Sequence, residues 1–598
     1  MSSFKVIIDA DGKHIKREAR EGDRIHDVLT AADVHENAPC GGRGTCGKCR
    51  ISVLGDAGPY APEELLLLSA EDRERGVRLS CLARVQGDLT VQIASDTGAR
   101  VLTEGIQAAD CALEPAVSIQ SLTLPAPTLA DQQSDSERLI AAIGDAEISL
   151  YALRDLPDAM RKGSIDALIF QGARGQMIIG CGSTPQSALG VAIDVGTTTM
   201  AAYLIDLKTG ETTAQRSCLN PQRAHGGDVI SRVDYANAGP ENADKLQSLV
   251  TGAMMELMTA IASEASASIE DIRHIVAVGN TIMMHLLANL PARHIAVLPF
   301  APPYARGFDV NAPEIGLPLL SARITLAPCV SGYVGADTIA ALLACDMDAY
   351  DGTALLIDIG TNGEIALGGA GRLLCCSAAA GPAFEGAHIA CGSGAVDGAV
   401  DHVYFNEDGI GVTTIGNVPA RTICGSGLVD AVAGMIGTGI VDETGRIDED
   451  EIPGAYEKFL FELDGKPALS LDGKGDAGVY IHQKDLREVQ LAKAAIAAGI
   501  DILLAEMKIG FDQVDRLYLA GGFGNFIDQE SAVAIGLLPE ALRGKIVPVG
   551  NAAGSGARLM LKNRNMLDRA EALRTRMEYI ELSACPEFQD LFVERMFF

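Results

Sequence analysis

Apolar and polar positions alternate over residues 4–8 and 14–17, on either side of Asp11-Gly12, and this pattern predicts a β-hairpin. Residues 23–32 then take a helical period, and residues 49–54 and 79–93 read as further strands, so residues 1–95 form a small β-rich domain with one main helix. Residues 96–112 read as a linker, and the Pro, Ser and Thr of residues 115–133 loosen the connection further. Residues 113–186 carry short strand and helix candidates, at 167–170 and 136–143 among others, and no chemical constellation, which suits a spacer or docking domain. From Leu189 the pattern becomes apolar strand, tight Gly turn, strand, then long Ala-rich helices, so residues 187–598 are expected to be one large α/β domain.

No apolar run approaches the ~18 residues of a membrane helix. The first nine residues alternate like a strand and lack the basic-then-apolar layout of a signal peptide, so a cytoplasmic protein with no membrane association is expected. Lys and Arg number 48 against 79 Asp and Glu, a net charge of −31, which argues against a nucleic-acid binder and leaves small molecules or other proteins as partners. In a reduced compartment the 14 Cys are not a disulfide framework, so clustered Cys point to metal ligation.

One such cluster is present. Cys40, Cys46 and Cys49 have a Cys-x5-Cys-x2-Cys spacing, with Cys81 as a distant fourth, and four thiolates suit a [2Fe-2S] cluster. Gly41, Gly42, Gly44 and Gly47 allow the loop to wrap closely around it. The same loop matches a dinucleotide fingerprint and nearly matches a phosphate loop, but Cys49 stands where the latter needs Ser or Thr, and neither explains the interleaved Cys. A zinc site is the weaker metal alternative. Residues 1–95 resemble a plant- or adrenodoxin-type [2Fe-2S] ferredoxin domain with a β-grasp (α+β) fold. The resemblance implies a one-electron carrier of low potential, near about −400 mV in the plant type.

In the long domain Ile193-Asp194-Val195-Gly196-Thr197 recurs as Ile357-Asp358-Ile359-Gly360-Thr361, each copy followed by a hairpin turn, at residues 208–210 and 368–371. Two such hairpins imply two similar lobes facing each other over a cleft. Asp194 and Asp358 would hold a hydrated Mg²⁺. Gly196, Thr197 and Thr198 from one side, and Gly360, Thr361 and Asn362 from the other, would donate hydrogen bonds to phosphate oxygens. A third element, residues 517–525, is an apolar strand that opens into Gly521-Gly522 and ends at Asn525, with a helix after Asp528; its bare backbone would let an adenosine lie flat. The three motifs together resemble the ATPase superfamily of acetate and sugar kinases, heat-shock chaperones and actin, which implies a duplicated α/β, actin-like ATPase domain binding ATP.

Asp337 looks like the residue that this superfamily offers toward an attacking water; its alternative is the N-cap of a helix over residues 338–344. Asp228 has the same ambiguity, with the cap ahead. Glu364 reaches the metal or merely projects from its strand. Gly425-Ser426-Gly427 precedes a helix over residues 428–436, a natural anion site for nucleotide contact. The helix over residues 484–504 reads as packing through Val489, Ile496 and Ile500, and Cys375, Cys376, Cys391 and Cys424 as small buried hydrophobes. His225, His285 and His388 are scattered singly and read as structural or cleft histidines.

The whole chain resembles the reductive activators of corrinoid proteins, carried by residues 39–49, Asn220-Pro221-Gln222 with residues 227–232, residues 278–285, 520–525 and 550–554. The resemblance implies ATP-dependent delivery of one electron to a corrinoid protein of a methyltransferase system, turning inactive Co(II) into Co(I). It also implies an external low-potential electron donor and a homodimer through the ATPase domain. The rival readings are an electron-transfer activator of a radical dehydratase or ring reductase, whose relatives share a [4Fe-4S] cluster across a dimer, and a redox-sensing ATPase switch.

Overall fold

The computed structural model describes residues 3–10, 13–32, 34, 36, 42, 44, 47–68, 70–93, 105, 111–183, 187–369, 371–448 and 452–598. The N-terminal hairpin is β1 (Ser3–Ala10) against β2 (Lys13–Arg20), in register from Ser3 opposite Arg20 to Ala10 opposite Lys13; its turn residues lie outside the described residues. A helix, Ile25–Ala31, comes next and buries Ile25, Val28 and Leu29 against Val6, Ile8 and Val91. Strands β3 (Arg50–Gly55), β4 (Val77–Leu79) and β5 (Leu89–Ile93) complete a sheet ordered β2-β1-β5-β3-β4, with β1 and β5 parallel, which is the β-grasp arrangement. The strand expected over residues 79–93 exists only at its two ends. Between them the chain turns at Ser80-Cys81, where the Leu82 and Ala83 amides bond back to Leu79 O. Two short helices, Pro62–Leu67 and Ala70–Glu74, were not legible; the first is anchored by buried Glu64, which pairs with Arg78 at 2.8 Å.

The second unit is a four-stranded sheet of β6 (Val117–Thr123), β7 (Ala146–Ile148), β8 (Ser164–Gly172) and β9 (Gly175–Gly182), ordered β6-β8-β9-β7. Helices Asp135–Ile143 and Leu150–Lys162, capped by Ser134 and Ser149, bury Leu139, Leu156 and Met160 against it. This unit docks on the large C-terminal domain: Phe170 packs edge-on against His274, and Glu114 exchanges backbone hydrogen bonds with Lys562 and Arg564.

That large domain is built twice. In the first lobe β10 (Leu189–Val195), β11 (Thr199–Asp206) and β12 (Thr212–Leu219) form an antiparallel meander, and β13 (Ile272–Val278), β14 (Phe308–Asn311) and β15 (Arg323–Leu326) extend the sheet in the order β12-β11-β10-β13-β15-β14. In the second, β16 (Ala354–Ile359), β17 (Gly363–Gly369) and β18 (Arg372–Ala378) repeat the meander. Two three-stranded sheets are inserted next, from β19 (Ala399–Asn406), β20 (Gly409–Thr414) and β21 (Thr422–Ile423), and from β22 (Leu460–Leu463), β23 (Lys466–Ser470) and β24 (Tyr480–His482). The main sheet then closes with β25 (Arg516–Ala520), β26 (Ile546–Gly550) and β27 (Met577–Tyr579), ordered β26-β25-β16-β17-β18-β27. In each lobe the first strand pairs antiparallel with the second and parallel with the fourth, so Asp194 lies beside Val278 and Asp358 beside Ala520 at matching positions.

Each lobe has its own apolar core, one around β10, β11 and β13 and the other around β16, β17 and the helix Gln483–Met507. That long helix places Val489, Ile496 and Ile500 fully inside, as the apolar period predicts. The lobes meet where the helix after β15, Ala336–Ala344, crosses the helix after β26, Ala552–Lys562. A methyl group on Gly556 would sit 1.9 Å from Ala340 O, so the two backbones touch at that point. Among the described residues no helix is long and apolar enough to cross a membrane.

Candidate functional site: a thiolate loop and a two-lobed acidic cleft

Cys40 and Cys46 lie outside the described residues. The other two predicted ligands converge: Cys49 at the start of β3 and Cys81 just past β4 are both buried, with their sulfurs 3.2 Å apart. The Cys81 sulfur beside it, against the cost of burial, pulls the Cys49 thiol down to about 7. Around them Leu68 and Leu79 form a small apolar pocket of their own. Gly44 is in the left-handed region at φ +74°, and a Cβ there would stand 2.8 Å from the Leu82 side chain, so only glycine lets the loop lie this close to the Cys81 turn. Two converging thiols and a glycine-tight loop fit a [2Fe-2S] cluster.

The cleft is lined by carboxylates. Asp194 and Asp358 end the first strands of the two lobes, Glu364 stands opposite Asp358 on β17, and Asp337 sits in the first turn of Ala336–Ala344. All four are half-buried. Burial, then the Asp337 charge, pushes Asp194 and Asp358 up to about 7; burial pushes Asp337 up to about 6, and burial with Asp337 and Asp358 lifts Glu364 well above the carboxylate range. Groups that raise one another in this way form a shared acidic field that a cation would relieve. Among the described residues no three such side chains form a ready-made metal-ligand set.

Asp337 is not the helix cap. Gly335 occupies that position, and the Asp337 carboxylate instead accepts the Thr338 amide at 2.7 Å from within the first turn. Asp228 does cap its helix, Val229–Asn237, accepting from the Ser231 amide at 2.8 Å.

Three asparagines that composition and motif left without a role hold the first hairpin. Asn220, Asn280 and Asn551 each use the side-chain oxygen to cap a helix, bonding the amides of Gln222, Met283 and Gly554. Each then donates its side-chain NH₂ to the hairpin: Asn220 to Gly196 O at 2.8 Å, Asn280 to Thr197 Oγ1 at 2.8 Å and Asn551 to Asp194 Oδ2 at 3.1 Å. Buried Arg232 adds a bond of 2.5 Å to Thr197 O. The signal was present as an Asn immediately before each helix, but its second hydrogen bond depends on tertiary contact.

Thr198 and Thr361, one from each hairpin, point at a residue that sequence reasoning missed. Both hydroxyls donate to Glu385 Oε2, at 3.0 and 3.1 Å. Gly360 and Asn362 complete the second hairpin, with the Gly360 amide closing on Asn362 O. Gly521 takes φ +92°, and a Cβ there would lie 2.7 Å from Asp358 Oδ1 and 2.8 Å from Ile359 O; the third loop therefore abuts the second carboxylate directly. Gly522 and Asn525 are exposed beside it, the first within and the second at the end of a short helix Gly521–Gly524 that was not expected. The helix Gln529–Ala534 starts after its Asp528 cap as predicted. Gly425 and Ser426 open the helix Gly425–Gly437 but are buried, with the Ser426 hydroxyl given to Asp401 O; Phe523 packs against Gly425 and stacks on Phe384 at 5.1 Å. Cys375, Cys376 and Cys424 are buried, and His285 is held by Thr281 O while stacking on Tyr304.

A ferredoxin-type domain joined to a duplicated nucleotide-type cleft defines an iron–sulfur protein with an actin-like ATPase domain. Residues 8–86 match the 2Fe-2S iron-sulfur cluster binding domain, residues 106–174 the RACo linker region, residues 189–350 the RACo middle region, and residues 352–598 the C-terminal domain of RACo, the ASKHA domain. The corrinoid activation enzyme RamQ of Eubacterium limosum is 31% identical over 96% of both chains. A [Co(II) methylated amine-specific corrinoid protein] reductase of Methanosarcina barkeri is 27% identical over 63% of this chain and 71% of its own. A solved reductive activator for corrinoid, iron-sulfur protein superposes with TM-score 0.74 at 32% identity, covering 99% of this chain and 98% of that one. The chain belongs to the family of reductive activators of corrinoid proteins.

Proposed function

We propose that this protein is an ATP-hydrolysing iron–sulfur reductase that returns an oxidised corrinoid protein to its active state. One electron passes from the reduced protein to the partner's Co(II), giving Co(I), and an external low-potential donor restores the electron. The observation that carries this reading is the full-length kinship to corrinoid activators of a chain that holds both a thiolate loop and an acidic two-lobed cleft.

Cys40, Cys46, Cys49 and Cys81 would hold the [2Fe-2S] cluster, which supplies one-electron chemistry at low potential. Asp194 and Asp358 would hold a hydrated Mg²⁺, with Glu364, opposite Asp358 on β17, adding to the acidic field. Gly196, Thr197, Thr198, Thr361 and Asn362 would donate to the phosphates, Gly360, whose amide is held by Asn362 O, shaping their turn, and Gly521, Gly522 and Asn525 would bear the adenosine, with the helix at Gly425 and Ser426 closing the far side. Asp337, one oxygen of which is engaged by the Thr338 amide, uses the other to take the proton of the attacking water; a carboxyl held near 6 is suited to that exchange. Reducing Co(II) from a ferredoxin that falls short by about 100 mV needs about 2.3 kcal/mol. ATP supplies this only if the nucleotide states differ in affinity for the Co(II) partner.

The test is anaerobic: the Ti(III)-reduced protein is mixed with a Co(II) corrinoid methyltransferase protein, with and without Mg-ATP, and the Co(I) absorption band is followed. Appearance of Co(I) that depends on ATP is expected. ATP turnover with an intact cluster spectrum and no Co(I) from any corrinoid partner would overturn the reading. The dimer implied by kinship is checked by sedimentation of the same sample.

A further inference from the structure

Lys48, the residue before Cys49, reaches out of the ferredoxin domain into the second ATPase lobe. Its ammonium group donates to Ile389 O at 2.7 Å, Gly392 O at 2.9 Å and Ala390 O at 3.3 Å. Three carbonyls match the three protons of an ammonium group. The segment that presents them is itself fixed: Ile389 is fully buried, the Ala390 amide bonds Asp485 Oδ1 at 2.8 Å, and Gly392 closes a turn back onto Ile389 O. On the other lobe, Arg24, His26 and Asp27 of the ferredoxin domain face His225, Tyr235 and Lys245 across a cavity of 760 Å³. The ferredoxin domain therefore straddles both lobes.

The carbonyl cage begins four residues after Glu385, whose carboxylate bridges Thr198 of one lobe and Thr361 of the other. Gly386 between them is in the left-handed region at φ +78°, and a Cβ there would strike the backbone of Ser393 at 2.3 Å, so the 386–393 turn is closed on itself and moves as a unit. On the reading of Thr198 and Thr361 as phosphate donors, the Glu385 carboxylate holds the two hydroxyls that a phosphate would need, and both acceptors cannot have those donors at once.

We propose that Glu385 is the nucleotide sensor of this protein and that the 389–392 carbonyl cage is the docking site of its own ferredoxin domain. Phosphate arriving between Thr198 and Thr361 expels the Glu385 carboxylate, the adjoining 386–393 turn shifts, the cage around Lys48 opens, and the ferredoxin domain is released toward the partner. This rests on the reading of Thr198 and Thr361 as phosphate donors.

The experiment uses the full chain with its cluster, and a non-hydrolysable ATP analogue with Mg²⁺. Analogue binding is measured by calorimetry, domain release by small-angle scattering, and local opening by amide hydrogen exchange over residues 386–393. In the native protein the analogue is expected to raise the radius of gyration and to speed exchange in that segment about tenfold. K48M, checked to keep the cluster's visible spectrum, is expected to be extended without nucleotide. By reciprocity K48M should bind the analogue more tightly, by about 5-fold or more. E385A is expected to bind the analogue while leaving the domain docked. An analogue that binds without changing the scattering, or a K48M profile identical to the native one, overturns the proposal and leaves the phosphate reading standing. No analogue binding at all overturns both.

Discussion

At the scale of the residue, the carboxylates of the cleft set a pH dependence whose sign can be worked out. Asp194 and Asp358 are held near 7, whereas the unfolded chain titrates them near about 4. Between those values the folded protein binds more protons than the unfolded one, so the nucleotide-free protein loses stability as pH rises through that window. A bound Mg²⁺ favours the ionised forms and reverses the trend. Thermal melts are expected to show the nucleotide-free midpoint falling from about pH 5 to about pH 7.5 while the increment given by Mg-nucleotide grows. An increment that stays flat would show that these carboxylates are not the metal's anchors. Asn551 sharpens the point, since N551D keeps the helix cap but replaces the NH₂ bonded to Asp194 by a second carboxylate. Mg-ATP affinity at pH 7 should drop about fivefold, the effect of a rise of about one pKa unit on the ionised fraction of Asp194, and recover toward pH 8, as read by calorimetry across pH. A pH-independent loss would mean that the cap, not the charge, had been disturbed.

At the scale of the element, the buried strands ending in Asp-x-Gly-Thr were legible because a run of apolar residues that stops at an acidic turn has few other ways to fold. The lobes and their hairpins were readable on that ground, and the long packing helix from its apolar period. What could not be read depends on partners far away in sequence. Glu385 looks like an ordinary polar residue until Thr198, 187 positions earlier, is placed against it. The choice left open for Asp337 between a cap and a cleft residue could not be made in sequence because Gly335 takes the cap position with no side-chain bond and so leaves no signature. Near Cys81 the strand pattern continued through a turn because buried apolar residues of a loop and of a strand alternate alike. The helix crossing at Gly556 was likewise invisible, and it carries a prediction. G556A adds a methyl group 1.9 Å from Ala340 O and must push the two helices apart, costing about 1–3 kcal/mol or more. Calorimetric unfolding should show this loss in the ATPase domain with the cluster's visible spectrum intact; an unchanged melt would mean that the crossing yields without resistance.

At the scale of the whole molecule, a net charge of −31 surrounds a protein whose proposed task is to find another protein. The partner's docking face should carry the opposite sign, and its association rate should fall steeply as salt rises from about 50 to about 300 mM, where the screening length shortens below about 10 Å. Stopped-flow mixing with the corrinoid partner reads this directly, and a rate indifferent to salt would argue for apolar docking instead. The middle unit is tied to β13 of the first lobe through Phe170 and to the end of the helix Ala552–Lys562 through Glu114, so it holds both sides of the helix crossing. The contact of Gly556 with Ala340 has a geometric consequence for any closure of the cleft. A point where two backbones touch cannot slide far, so it serves as the fulcrum of a pair of shears. Displacement then grows with distance from it, least where the helices cross and greater toward the outer ends of the blades.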